Sequence, residues 1–280
     1  MEELIQQIQK QKTLLAKLHE SLKKIAVLEE DPAKRVSTLR KELSLIEKFE
    51  KELKLDATLL LNIQNILNKS REELKQKEEE LKSKFGFNLE KSLKARNFNL
   101  EGNYPVLRSS FYTFVIDISA DKVTIYFGPE MEKLDVTKAI PEIVVAALVK
   151  RHDEIVKRSF DEKVFLRMIK SAYQMFLAQT QKKIGEEAPL PEIHALCSLL
   201  FQKEKFRKNP KKENFTEYSR AMFSYDLSQL KNRTIDKTDM RLITATRSDT
   251  RMSGDFLWIP ASDGTTRGET VSRIKFVEVI

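Results

Sequence analysis

His194 and Cys197 stand three residues apart on one predicted helix and so face the same side, the spacing a Cys–His nucleophile pair needs. Cys197 is the single cysteine of the chain, which excludes a disulfide framework and a Cys-cluster metal site. Leu196, Leu199 and Leu200 flank it, so a buried structural thiol is the expected state. His19 lies beside a heptad seam, and His152 and His194 fall on separate predicted helices with no HxH or HExxH spacing, so no metal ligand set is expected. A second chemistry is that of a metal-dependent nuclease. Asp117 sits on a predicted strand and Glu130, Glu132 and Lys133 follow the next one, where carboxylates hold Mg²⁺ and a Lys steadies the attacked phosphate. Glu132 and Lys133 are adjacent and lie beyond Pro129, in an expected loop, rather than two apart on one strand. There is no GxxxxGK[ST] or GxGxxG, and only 7 Gly in 280 residues, which argues against a phosphate-cradling loop. No residue is assigned a catalytic role, and no metal or other cofactor is expected.

The third chemistry is electrostatic. The net charge is +8. Residues 201–251 hold 13 Lys and Arg against 7 Asp and Glu, the whole basic excess of the region after residue 84. Its sharpest cluster is Lys203, Lys205, Arg207, Lys208, Lys211 and Lys212, followed by Arg220, Lys231, Arg233, Arg247 and Arg251. These side chains are the candidate contacts to a phosphate backbone, DNA being the nucleic acid expected.

The elements that must position them fall into three stretches. Residues 1–85 read as an antiparallel three-helix coiled coil or bundle. Residues 1–84 have no Gly, and 18 basic side chains nearly balance 16 acidic ones. Leu4, Ile8, Leu15, Leu18, Leu22 and Ile25 follow heptad spacing, with Gln11 in the missing position. That seam is the expected partner-docking surface. Asp31-Pro32 and Asp56 read as starts of the second and third helices, and Phe85-Gly86 as the end of the third. Residues 86–160 read as a linker, a β-hairpin of 111–118 with 122–127, and a covering helix over 140–157. Residues 161–280 read as a helical core over 162–184, 192–206 and 214–232, then strands at 240–246, 255–259 and 272–279. The fold class is therefore mainly α with a smaller β component: a helical arm, then an α+β domain. Three helices followed by a β-hairpin is the element order of a winged-helix domain, with 214–232 as its groove-reading helix and 240–260 as its wing.

The heptad seam Leu4–Ile25 and the basic helix-plus-hairpin region 192–260 together resemble the non-ATPase accessory subunits of SMC-type complexes in prokaryotic chromosome maintenance and anti-plasmid or anti-phage defence. The resemblance implies a non-enzymatic scaffold subunit. An SMC-type ATPase would dock on the arm and DNA would lie on the basic face. The alternatives from composition are a protein-binding adaptor without nucleic acid, or a divergent nuclease subunit. No stretch approaches the roughly 18 apolar residues of a membrane span, and MEELIQQIQKQK lacks a signal-peptide core, so a cytoplasmic chain without membrane contact is expected.

Overall fold

The computed structural model describes residues 2–27, 32–53, 57–252, 254–265 and 267–279. Helix makes up 55% and strand 19%, as an N-terminal helical region followed by an α+β region with two antiparallel sheets. The expected caps Asp31 and Asp56, and the side chain of Leu4, lie outside the described residues.

Three helices form the arm: α1 (Glu2–Ala26), α2 (Pro32–Glu52) and α3 (Ala57–Lys94). Their heptad stripes meet in one apolar cluster of Leu14 and Leu18 from α1, Leu43, Ile46 and Phe49 from α2, Leu53, and Ile63 and Leu67 from α3. α1 packs on α2 and α2 on α3, whereas α1 and α3 make no comparable contact. The arm is thus an open layer with α2 in its middle. Ion pairs Arg35–Glu73, Arg40–Glu78 and Arg71–Glu47 lace α2 to α3.

α3 does not stop at Gly86. It runs on to Lys94, about 57 Å in all at 1.5 Å per residue. Phe85, Leu89 and Leu93 continue its apolar stripe into a second core, and that burial outweighs the ~0.5–1 kcal/mol cost of a mid-helix glycine. The chain turns at Asn97, the residue with left-handed φ of 63°.

The second core belongs to a five-stranded antiparallel meander, β1 (Glu101–Asn103), β2 (Val106–Ser109), β3 (Tyr112–Asp117), β4 (Lys122–Phe127) and β5 (Glu132–Thr137). The expected hairpin is β3–β4, with Phe114 opposite Ile125. Glu132 and Lys133 lie on β5, not in a loop, because the chain turns sharply through Gly128 and Glu130, both at positive φ. Helix α4 (Pro141–Val156) adds Val144, Val145 and Leu148 to the core, beside Phe85, Leu89 and Leu93 of α3.

The third core gathers helices α5 (Glu162–Thr180) and α6 (Leu190–Leu200) on a second sheet. Its strands are β6 (Ala188–Pro189), β7 (Thr234–Ile235), β8 (Thr238–Thr244), β9 (Leu257–Pro260) and β10 (Gly268–Glu278). Short helices α7 (Glu204–Lys208) and α8 (Arg220–Gln229) precede β7. Asp161 caps α5 by accepting from the Val164 amide at 3.0 Å. The helix ends at Thr180, before Ile184, because Gln181 takes left-handed φ.

Two features of the winged-helix template are not met. β8 and β9 do not pair with each other; they lie on opposite edges of β10, whose Val271 faces Thr244 on one side and Leu257 on the other. The third helix starts at Arg220, not at residue 214, and none of its residues is exposed. It packs against α4 and β9 and has no free face for a groove. Residues 215–219 escape the helix because His194, Ser198 and Gln202, spaced by four, hold their backbone. His194 Nε2 and Ser198 Oγ reach the Tyr218 carbonyl at 2.8 and 3.3 Å. The Gln202 amide both donates to and accepts from Thr216, each at 2.8 Å.

Candidate nucleic-acid interface

The basic window folds into three groups. Lys203, Lys205, Arg207, Lys208, Lys211 and Lys212 are all exposed on the connection between α6 and α8. Gln202 ties that connection at its base, and Arg207 donates to the Leu200 carbonyl at 2.8 Å. Lys208 pairs with Glu204 at 2.7 Å. Arg247 and Arg251 project from the long connection between β8 and β9. Asp249 pins this loop by accepting from the Thr246 amide at 2.8 Å and from Arg273 at 3.0 Å. Those hydrogen bonds, the Thr246 amide first, hold its carboxyl below the usual range.

Lys231 and Arg233 form the third group, beyond the C-terminal end of α8. Glu162 fixes this segment, its Oε1 accepting from the Lys231 and Asn232 amides at 2.6 Å each. The ten residues of α8, about 15 Å, separate this group from the α6–α8 connection. Lys231 and Arg233 line a cleft of about 660 Å³ whose far wall is the β9–β10 turn. That turn brings in Arg267, which the sequence reading did not single out; the turn docks on the first sheet where Ser110 Oγ donates to the Gly264 carbonyl at 2.8 Å.

Among the described residues, Lys203, Lys205, Lys211, Lys212, Lys231, Arg233, Arg247 and Arg251 enter no side-chain ion pair. Lys208 and Arg220 are the nominated cations that do, and Arg220 is the one turned inward. Its guanidinium is half-buried, pairs with Glu132, and donates to the carbonyls of Phe256 and, at 3.1 Å, Gly254. It fastens β5 and the β8–β9 loop to the start of α8, so a phosphate role is not available to it.

The arm seam divides as well. Leu18 is buried, and Leu22 and Ile25 pack on the same arm core, so these three hold the arm together. Ile8 and Leu15 stay outward, at 60% and 44% exposure, with Ile5 at 57%. The outward apolar residues therefore sit at the distal end of α1, near where Gln11 meets the end of α2.

The other candidate chemistries do not converge. Asp117 faces Lys122 and Glu132 faces Phe127, at opposite ends of β4, about 17 Å apart at 3.3 Å per residue. One metal ion cannot bridge them. Asp117 accepts instead from Ser119 and the Ala120 amide, and these bonds lower its pKa. Cys197 is buried, and desolvation drives its thiol pKa up, away from the thiolate a nucleophile needs. His194 spends Nε2 on the Tyr218 carbonyl.

A buried network has no signature in the sequence. Arg158 pairs with Asp226 at 2.7 Å, and Tyr218 Oη donates to the same carboxylate at 2.6 Å. Burial holds Asp226 above the ordinary carboxylate range in spite of both partners. The network joins the end of α4 to α8 and to the extended segment before it. Searches of protein-family models, curated proteins and solved structures find no match to this chain.

Proposed function

We propose that this chain is a non-enzymatic accessory subunit of a larger nucleic-acid-associated complex. Its arm docks a protein partner, and its C-terminal basic face follows a nucleic-acid backbone, DNA in the first instance. The observation that carries the reading is the set of cationic side chains without an ion pair on the described surface of residues 203–251, Lys203, Lys205, Lys211, Lys212, Lys231, Arg233, Arg247 and Arg251 among them. Elsewhere acids answer many of the bases, as in the α2–α3 ladder and at Arg151 and Arg158. Clustered unpaired cations repel one another, and a polyanion relieves that repulsion while releasing its counterions. Docking rests on Ile5, Ile8 and Leu15, apolar groups that the open arm leaves outward. By architectural resemblance the partner is an SMC-type ATPase in a prokaryotic DNA-maintenance or defence complex, and the compartment is the cytoplasm. No described helix is long and apolar enough to cross a membrane.

Binding to labelled duplex across a salt series tests the nucleic-acid half. Affinity should fall as salt rises, with a log–log slope of about −0.9 per phosphate contacted. Replacing Lys203, Lys205, Lys211 and Lys212 by Glu should weaken binding and make the slope shallower. Absence of binding at low salt, or a quadruple variant that binds like the parent, overturns the reading in favour of a protein adaptor with an acidic partner.

A further inference from the structure

We infer that the cleft between the end of α8 and the β9–β10 turn is a subsite for one nucleotide unit, phosphate and base together. The inference rests on the nucleic-acid half of the proposed function and specifies what this part of the surface holds. Three cationic side chains from two separate walls line the cleft, Lys231 and Arg233 from one and Arg267 from the other. None of them has an ion pair among the described residues. Glu269 is the one carboxylate in the lining, so a formal excess of two positive charges remains. Such an excess is what a phosphodiester or phosphomonoester group neutralises, and guanidinium groups match its oxygens in pairs.

The rest of the lining is not built for phosphate alone. Leu230, Ile259 and Pro260 form an apolar floor beside the cations. A cleft of about 660 Å³ is within the range of small-ligand sites and larger than a bare phosphate requires. Cations on the rim and an apolar floor suit a base lying flat with its phosphate held at the edge, a sequence-tolerant contact. A paired base in a duplex is stacked and out of reach of such a floor, so the unit comes from a single strand or from a free nucleotide.

Both walls are held in place without the ligand. Glu162 clamps the Lys231–Asn232 backbone, and the Met240 amide donates to the Arg233 carbonyl at 2.9 Å. On the other side the Ala261 amide donates to the Arg267 carbonyl at 3.0 Å, and Ser110 fastens the turn to the first sheet. Little ordering cost falls on the ligand-binding step when the site is preformed.

The test uses the full chain with three probes: a fluorescent single-stranded oligonucleotide, a fluorescent mononucleotide and a labelled duplex. The Arg233→Ala and Arg267→Ala variants should each weaken single-strand binding about tenfold or more, and by more than they weaken duplex binding, to which the α6–α8 connection also contributes. Competition by mononucleotide identifies a free nucleotide as a sufficient ligand, and binding of the oligonucleotide alone identifies a strand. Lys150→Ala, exposed on α4 and outside the basic groups, serves as a surface control and should leave single-strand affinity unchanged. Single-strand binding that both cleft variants retain in full overturns the subsite while leaving the nucleic-acid reading intact. Loss of all three probes by the parent protein overturns that reading itself.

Discussion

Gly86 sits inside α3 with ordinary helical φ, and a Cβ built there meets nothing within 4 Å. Neither a left-handed turn nor a close backbone approach requires it. Glycine in such a position only enlarges the freedom lost on folding. Gly86→Ala should therefore raise stability by about 0.5–1 kcal/mol, seen as a higher denaturant midpoint with an unchanged slope. A lower midpoint would mean that the helix is interrupted there. A glycine after a long heptad stripe reads as a stop in the sequence, because its usual role at helix ends is local. What carries the helix on is the next core, and Phe85, Leu89 and Leu93 announce that only to a reader who knows that the first sheet lies above them. Other side chains behave the same way. Cys197 as a buried thiol follows from its neighbours in sequence. Arg267 at the cleft and Arg220 as a clamp follow from residues 30 to 90 positions away, such as Glu132 and Phe256.

At the scale of elements, Trp258 on β9 joins the two sheets. It belongs to the core of the first sheet although its strand belongs to the second, and its ring meets Phe127 edge-on at 5.4 Å between centroids. Gly128 and Gly268 lie against the indole so closely that a Cβ on either would come within 2.8 and 2.5 Å of it. Trp258→Ala should cost about 3–5 kcal/mol. Hydrogen exchange should quicken along β9 and the facing half of β10 more than in the arm helices. Equal quickening everywhere would show that arm and sheets unfold as one unit. The strand pattern around Trp258 was legible in sequence, since Leu257, Trp258 and Ile259 are strand-forming types bounded by turns. Its pairing was not, because both β8 and β9 seek β10, and strand order depends on contacts some thirty residues apart. The same limit explains the helix once expected over 214–232. Residues 215–219 have no strong helix breaker, and only the side chains of His194, Ser198 and Gln202 take their backbone away. A fragment starting at residue 86 would begin inside α3 and lack Phe85, so it is a poor dissection of arm from sheets.

For the whole molecule, two half-buried histidines set a dependence of stability on pH. His152 accepts or donates at Nδ1 with Tyr112 Oη at 3.0 Å and sits among the rings of Phe98, Phe111 and Tyr112. Burial lowers its pKa below the ordinary 6.5, with Lys157 adding to the effect and Asp153 opposing it. His194 is lowered as well, by burial first and by Arg220, against the pull of its Tyr218 carbonyl. In the unfolded chain both imidazoles take up protons near pH 6.5, whereas the folded chain resists until the pH is lower. The unfolded state then binds more protons, so stability is complete above about pH 6.5 and declines as pH falls from there to the folded pKa values. Within that window the slope can reach about 1.4 kcal/mol per pH unit for each histidine. Asp226 acts with the opposite sign. Its raised pKa returns stability as the pH falls through the folded value toward the ordinary 3.8, so it offsets part of the loss. Thermal unfolding followed from pH 8 downward should show a flat region and then a decline that begins near pH 6.5, and His152→Gln should make that decline shallower. A midpoint that stays constant down to about pH 5 would mean that both imidazoles titrate alike in the folded and unfolded chain.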